Sequence, residues 1–167
     1  MNIYPDAYFK RVEEINVEFL NKHKIKALLL DVDNTLVDHT KKMTESVIKW
    51  AKELKGQGVK LYILSNTNDK QKIENIVKKI DIPYQLFSMK PLKRGFKKAQ
   101  KALGEKNENI AIVGDQIFTD VIGGNRCNMY TILVEPIKEK DFWYTAWKRP
   151  IENKIKHKIR EQQKNVK

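Results

Sequence analysis

The 167-residue chain predicts an α/β fold, a three-layer sandwich with a mostly parallel five-stranded sheet, and three observations carry that prediction. Short aliphatic runs alternate with amphipathic stretches of helical period. No hairpin signal joins one run to the next, so successive strands lie parallel with helices on both faces. Polar, chemistry-bearing residues follow the ends of the runs, and in such sheets ligands bind beyond the carboxyl ends of the strands.

Each element has its own signal. Residues 25–32 (IKALLLDV) form a short aliphatic run that reads as a buried strand. Residues 44–54 follow as a helix with Val47, Ile48, Ala51 and Leu54 on one face, Thr44 as N-cap, and Gly56 and Gly58 past its end. Residues 59–64 (VKLYIL) are a second strand, and residues 69–79 a helix with Ile73, Ile76, Val77 and Ile80 in register. After Pro83, residues 84–87 predict a third strand, and residues 93–103 a helix stopped by Gly104. Residues 110–113 (IAIV) are a fourth strand, residues 119–126 a short helix, and residues 130–134 (YTILV) a fifth strand. Ahead of all this, Tyr8, Phe9, Val12, Ile15, Phe19 and Leu20 recur at roughly helical spacing, so residues 7–20 predict a helical segment packed on the sheet.

Composition excludes several classes. At 41% hydrophobic and 32% charged the chain is too aliphatic to be disordered. Its longest strongly apolar run, Ala27 to Leu30, falls far short of the roughly 20 residues that span a bilayer. The first residues show no basic region followed by an apolar one, and the expectation is a reduced, cytoplasmic protein. One cysteine, Cys127, excludes a disulfide framework or a multi-cysteine zinc site and reads as a small buried residue. Lys and Arg number 33 against 21 Asp and Glu, a net charge of +12. Residues 138–167 carry half of that excess, which points to an anionic partner.

The strand ends deliver a constellation. After the first strand come Asp31, Asp33, Asn34 and Thr35; after the second, Ser65 and Asn66; after the third, Lys90; after the fourth, Gly114 and Asp115 with Asp120 near. Core packing has no use for carboxylates, a hydroxyl and an amine on one rim. Hard carboxylate oxygens suit Mg²⁺, which takes few carboxylates together with waters and substrate phosphate. The cation would offset the repulsion among the carboxylates. One carboxylate is then able to attack phosphorus, while an ammonium and a hydroxyl hold the phosphoryl oxygens.

In this setting DVDNTL at 31–36 resembles the DxDxT motif of haloacid-dehalogenase-like (HAD) phosphohydrolases, and residues 114–120 resemble their GDxxxxD motif, with Ser65 and Lys90 in order between them. PDAYFKRV, LSNTND, MKPLKRGF, VGDQIFTDVIGGNR and EPIKEKDFWYTAWKR extend the likeness, from about Pro5 to Arg149, to YqeG-type subclass IIIA phosphatases, relatives of mitochondrial phosphatidylglycerophosphate phosphatases. The resemblance implies a HAD-like, Rossmannoid fold and Mg²⁺ as cofactor. Asp31 would be nucleophile and metal ligand. Asp33 would be general acid/base, with its backbone carbonyl on the metal. Thr35 would brace the loop, Ser65, Asn66 and Lys90 would bind phosphate, and Asp115 would complete the metal site. Asp120 would orient Lys90 or a metal-bound water.

Only residues 36–43 separate Thr35 from the next helix, and 25 positions separate Ser65 from Lys90, so neither gap holds a cap domain. An open site suits a bulky or surface-bound substrate. The implied reaction is hydrolysis of a phosphomonoester through an aspartyl-phosphate, with phosphatidylglycerophosphate at the inner membrane face as favoured substrate. The alternatives are a soluble phosphorylated metabolite or nucleotide, and, from another class, a non-catalytic scaffold on the same fold. Residues 1–149 read as a single phosphatase domain that includes the N-terminal helical segment, and residues 150–167 as a basic amphipathic tail. Phe142, Trp143, Tyr144 and Trp147 stand beside Lys148 and Arg149, and after Pro150 the residues Ile151, Ile155 and Ile159 recur amid lysines. That pattern fits either a helix lying on an anionic membrane surface or one packed on the core. Nucleic acid ranks lower as a partner, because no recognisable binding module accompanies the basic residues.

Overall fold

The aliphatic run at the first predicted strand lies in the middle of the sheet, where burial on both faces is required. In the computed structural model, which describes residues 1–137 and 149–165, this strand is β2 (Ala27–Leu30), flanked by β5 (Ile110–Gly114) and β3 (Lys60–Leu64). Outside these lie β6 (Tyr130–Val134) with β1 (Ala7–Phe9), and β4 (Tyr84–Gln85) at the other edge. Every pairing is parallel, so all carboxyl ends share one rim.

The side chains alternate between two cores with period 2, as strand geometry dictates. Leu28, Leu30, Leu61, Ile63, Ala111 and Val113 face α1 (Val17–Lys22), α2 (Glu45–Gly56) and α3 (Lys70–Ile80). Ala27, Leu29, Tyr62, Leu64, Ile110 and Ile112 meet Phe96, Ala99 and Leu103 of α4 (Lys93–Leu103), together with the buried Cys127. Both cores are continuous, and the three-layer sandwich is realised. Thr44 caps α2 as expected, its side chain accepting from the Val47 N–H.

The sheet has six strands rather than five, and the difference lies at the N-terminus. Ala7–Phe9 is extended, where helical spacing predicted a helix, and α-helix begins only at Val17, in α1. The cause is a clamp: the Thr131 N–H and hydroxyl donate to the Asp6 carboxylate at 2.8 and 3.0 Å, and the Asp6 N–H returns a bond to the Thr131 carbonyl. The clamp lays the chain along β6. A second difference is at residues 117–126, where a π-helical turn (Ile117–Val121) precedes the short α5 (Ile122–Arg126). Gly123 and Gly124 let α5 sit close, since a Cβ on Gly123 would strike the Phe96 ring and one on Gly124 would strike Ile112.

The C-terminal helix α6 (Arg149–Asn165) docks on the body through Ile159, buried against Tyr8, Leu133, Ile117 and Val121. Three of its cations engage the body: Arg160 pairs with Glu135 at 2.8 Å and donates to the Tyr8 hydroxyl, Lys156 lies 3.7 Å from Glu135, and Lys158 lies over the Tyr4 ring. The aromatics Phe142, Trp143, Tyr144 and Trp147, and the side chains of Ile151 and Ile155, lie outside the described residues. No helix among the described residues is long and apolar enough to cross a membrane.

Candidate active site

Parallel strands of nearly equal extent bring their ends to one rim, and the site is assembled there. Past β2 the chain turns sharply: the N–H groups of Thr35, Leu36 and Val37 all bond the Val32 carbonyl. Asn34 takes a left-handed conformation (φ 61°), which asparagine tolerates better than most residues. Its N–H bonds the Val37 carbonyl, and its carbonyl accepts from Ile137, tying the loop to the end of β6. Asp31 therefore points at the rim from a rigid loop.

Lys90 is the hub. Its ammonium lies 2.7 Å from Asp31 Oδ1 and 2.6 Å from Asp120 Oδ1, with the side chain almost fully buried. The Thr35 hydroxyl sits between Asp31 Oδ2 (3.3 Å) and Asp115 Oδ1 (3.4 Å). Carboxylate oxygens of Asp31, Asp115 and Asp120 all fall within 4.8 Å of one another. Gly114 makes this possible, because a Cβ there would collide with the Asp120 carboxylate. The π-helical turn carries Asp120 back over Gly114, and the Gln116 N–H donates to its Oδ2 at 3.2 Å.

The electrostatics follow from burial. Desolvation, then the charges of Asp31 and Asp120, push the Asp115 carboxyl well above its ordinary range. Asp120 is pushed up to about 7, chiefly by desolvation and further by Asp31, although Lys90 pulls the other way. Burial alone would weaken the charge on Lys90, but Asp120 and Asp31 more than offset it and hold the ammonium above its usual pKa. Three crowded carboxyl groups face one ammonium, and burial with their mutual repulsion makes Asp115 and Asp120 hold protons where no cation neutralises them. A hard divalent cation fits that oxygen donor set.

The remaining predicted residues have different surroundings. The Asp33 carboxylate stands apart from the cluster, 55% exposed, and its Oδ1 meets Lys72 Nζ at 2.6 Å. Lys72 is only 7% exposed. Sequence reasoning missed it, since a lysine one turn into a helix looks like solvated surface. Asn66 is engaged with the loop that holds Lys90: its Oδ1 accepts from Ser88 Oγ and the Lys90 N–H, and its Nδ2 donates to the Lys90 carbonyl. Ser65 is buried, and its Oγ accepts from the Thr67 N–H.

A Rossmannoid sheet with this carboxylate–lysine rim defines a phosphatase of the HAD type, a phosphoric monoester hydrolase, and the comparisons with known proteins agree. A probable phosphatase, YqeG, of Bacillus subtilis (strain 168) is 34% identical over 152 residues, covering 90% of this chain and 88% of its own. The family model described as mitochondrial PGP phosphatase matches residues 1–138, and the chain belongs to that family. Among solved structures, an uncharacterised protein from Listeria monocytogenes serotype 4b superposes with a TM-score of 0.57 at 20% identity, covering 71% of this chain and 85% of that one. The cobalt-bound deoxy-D-mannose-octulosonate 8-phosphate phosphatase of Haemophilus influenzae superposes with a TM-score of 0.55 at 18% identity, covering 66% and 69%. At these identities the two structures speak for the fold alone.

Proposed function

We propose that the protein is a Mg²⁺-dependent phosphatase that works through an aspartyl-phosphate and dephosphorylates phosphatidylglycerophosphate at a membrane surface. The observation that carries the chemistry is the Lys90 ammonium bridging Asp31 and Asp120 beside a crowded carboxylate cluster. The family match supports the substrate.

Asp31 is the nucleophile. Thr35 and Lys90 orient its carboxylate, and Lys90 stands where it neutralises charge on the phosphoryl oxygens as an Asp31 oxygen bonds to phosphorus. Asp33 projects toward solvent at the mouth, placed to protonate the leaving alkoxide and then to take a proton from the water that cleaves the acyl phosphate. Asp120 keeps Lys90 charged and aimed. Asp31, Asp115 and the backbone carbonyl of Asp33 would hold the divalent ion, which supplies charge neutralisation and polarises the phosphoryl group. Ser65 and Asn66 line the phosphate pocket, Asn66 by fixing the backbone on either side of Lys90.

Beside the catalytic loop a cavity of about 450 Å³ runs from Thr35 to Lys10 and Arg11. Phosphatidylglycerophosphate carries a second, diester phosphate, and this cavity offers it room and the cations Lys10 and Arg11, beside Glu13 and the Arg160–Glu135 ion pair.

The test is phosphate release with and without Mg²⁺, comparing phosphatidylglycerophosphate in mixed micelles with glycerol 3-phosphate and a panel of soluble phosphomonoesters. Preference for the lipid, abolished in Asp31→Asn, supports the proposal. Equal or better turnover of a soluble ester moves the assignment to a metabolite phosphatase with the same chemistry. Wild-type rates in Asp31→Asn would remove the nucleophile.

A further inference from the structure

The loop that carries Lys90 has two sides. Ser88 and Lys90 turn inward, to Asn66 and to the catalytic carboxylates. Phe87, Met89 and Leu92 turn outward and are 63%, 56% and 48% exposed. The other exposed large apolar side chains among the described residues are Met1, Tyr4 and Ile137, none of them in this loop. Among the described residues, half of the exposed large apolar groups thus sit within six residues, on the loop that bears Lys90.

The loop is held in an uncommon shape. Phe87 and Met89 adopt left-handed backbone conformations (φ 49° and 56°), which a bulky side chain takes up only where its surroundings impose it. The surroundings do so: the Phe87 N–H bonds the Thr67 carbonyl, the Ser88 N–H bonds the Ser65 carbonyl, and the Leu92 N–H bonds the Met89 carbonyl. Strain held in place to expose apolar groups beside a reactive centre is a pattern of functional sites rather than of core packing.

Directly behind the apolar tips, the first two turns of α4 present Lys93, Arg94, Lys97 and Lys98 to solvent. None of the four has an ion-pair partner among the described residues. Aromatic and aliphatic tips with a basic collar are the chemistry of a seat in a bilayer interface, the tips entering the acyl boundary and the collar attracting anionic headgroups. A soluble anion would recruit the collar and leave the tips idle.

We infer that residues 87–92 and the first two turns of α4 form the edge by which the enzyme docks on an anionic lipid surface. The inference rests on the reading of the substrate as a lipid and places the contact on the catalytic rim. Docking there carries Lys90 and Asp31 to the headgroup plane, so the phosphate need not leave the interface. The basic tail stands in a different position, since Arg160, Lys158 and Lys156 already engage Glu135 or Tyr4 on the protein itself.

The experiment uses the full chain, vesicles of phosphatidylcholine with and without phosphatidylglycerol, and sedimentation as readout. Phe87→Asn with Met89→Asn removes the tips while placing in both left-handed positions a residue that tolerates them. Wild type is expected to sediment with the anionic vesicles and less with neutral ones. The double variant is expected to bind them about tenfold more weakly or worse, given two large apolar groups lost. Its turnover of p-nitrophenyl phosphate reports that Lys90 is still in place. Lys97→Glu with Lys98→Glu should weaken binding to anionic vesicles alone.

Wild-type binding in the double variant overturns the inference, as does failure of wild type to bind. So does an oligomer that dissociates in the variant without any vesicle binding, which would make the edge a contact between copies. These vesicles contain no substrate, so the reading of the substrate is tested separately. Vesicle binding lost in the variant, with no hydrolysis of phosphatidylglycerophosphate by wild type, would keep the docking edge and remove the substrate.

Discussion

Lys72 Nζ lies 2.6 Å from Asp33 Oδ1, so a nearly buried ammonium holds the one carboxylate of the site that faces solvent. The stem of Lys72 packs in the first turns of α3, whose start is set by Asp69 accepting from the Lys72 N–H. The helix thereby delivers a cation to the mouth of the site.

If Asp33 transfers protons, Lys72 acts through its position. Lys72→Met should lower kcat by roughly tenfold to a hundredfold on alkyl phosphates, whose leaving groups need a proton, and much less on p-nitrophenyl phosphate. Lys72→Arg should restore most of the loss. An equal fall on both substrates would mean that the ion pair only supports the fold.

Asp120 and Lys90 are a buried pair, and removing Asp120 leaves the ammonium with Asp31 alone. Asp120→Ala should cost about 1–3 kcal/mol in urea unfolding and lower kcat at saturating substrate, since Lys90 loses one of the two carboxylates that aim it. Retained activity would mean that Asp120 does not aim Lys90.

Gly114 serves the same pair from the strand side. A methyl group at Gly114→Ala meets the Asp120 carboxylate, so the variant should lose about 1–3 kcal/mol of stability and displace Asp120 from Lys90. A crystal structure of the variant with the Lys90–Asp120 contact intact would refute this account.

Asp115 and Asp120 bind protons more tightly folded than unfolded, since burial raises both. The folded state therefore holds more protons, and without metal the stability contributed at these groups falls as pH rises, for Asp120 from about 4 to about 7. A divalent ion held by Asp31 and Asp115 would displace the proton on Asp115. Thermal unfolding with EDTA and with Mg²⁺ should show a metal-induced rise in Tm that is larger at pH 8 than at pH 5. An equal rise at both pH values would place the metal away from these carboxylates.

Lys10 and Arg11 border the cavity beside Thr35. Replacing both with alanine should reduce the ratio of kcat/KM for deacylated phosphatidylglycerophosphate over that for glycerol 3-phosphate by about tenfold, since a charge-assisted contact to a phosphate is worth about 1.5–3 kcal/mol. An unchanged ratio would put the diester phosphate elsewhere.

What the chain states locally, it states well. The aliphatic runs at β2, β3, β5 and β6, the caps at Thr44 and Gly104, and the order of Asp31, Ser65, Lys90 and Asp115 after successive strands are short-range signals, and the fold and the place of these residues at one rim follow from them. Tertiary structure decided what depends on partners distant in sequence. Residues 7–9 became a strand because Asp6 meets Thr131, which no periodicity in residues 7–20 encodes. The carboxylate of Asp120 entered the cluster because a π-helical turn folds it over Gly114. Lys72 reached Asp33 across 39 positions, and the apolar edge at Phe87 and Met89 emerged only when Ser88 and Lys90 were seen to turn inward. Periodicity reports which face of an element is buried. Which charges meet beyond the strand ends depends on how the loops close, and that is settled by contacts between segments that only the folded chain brings together.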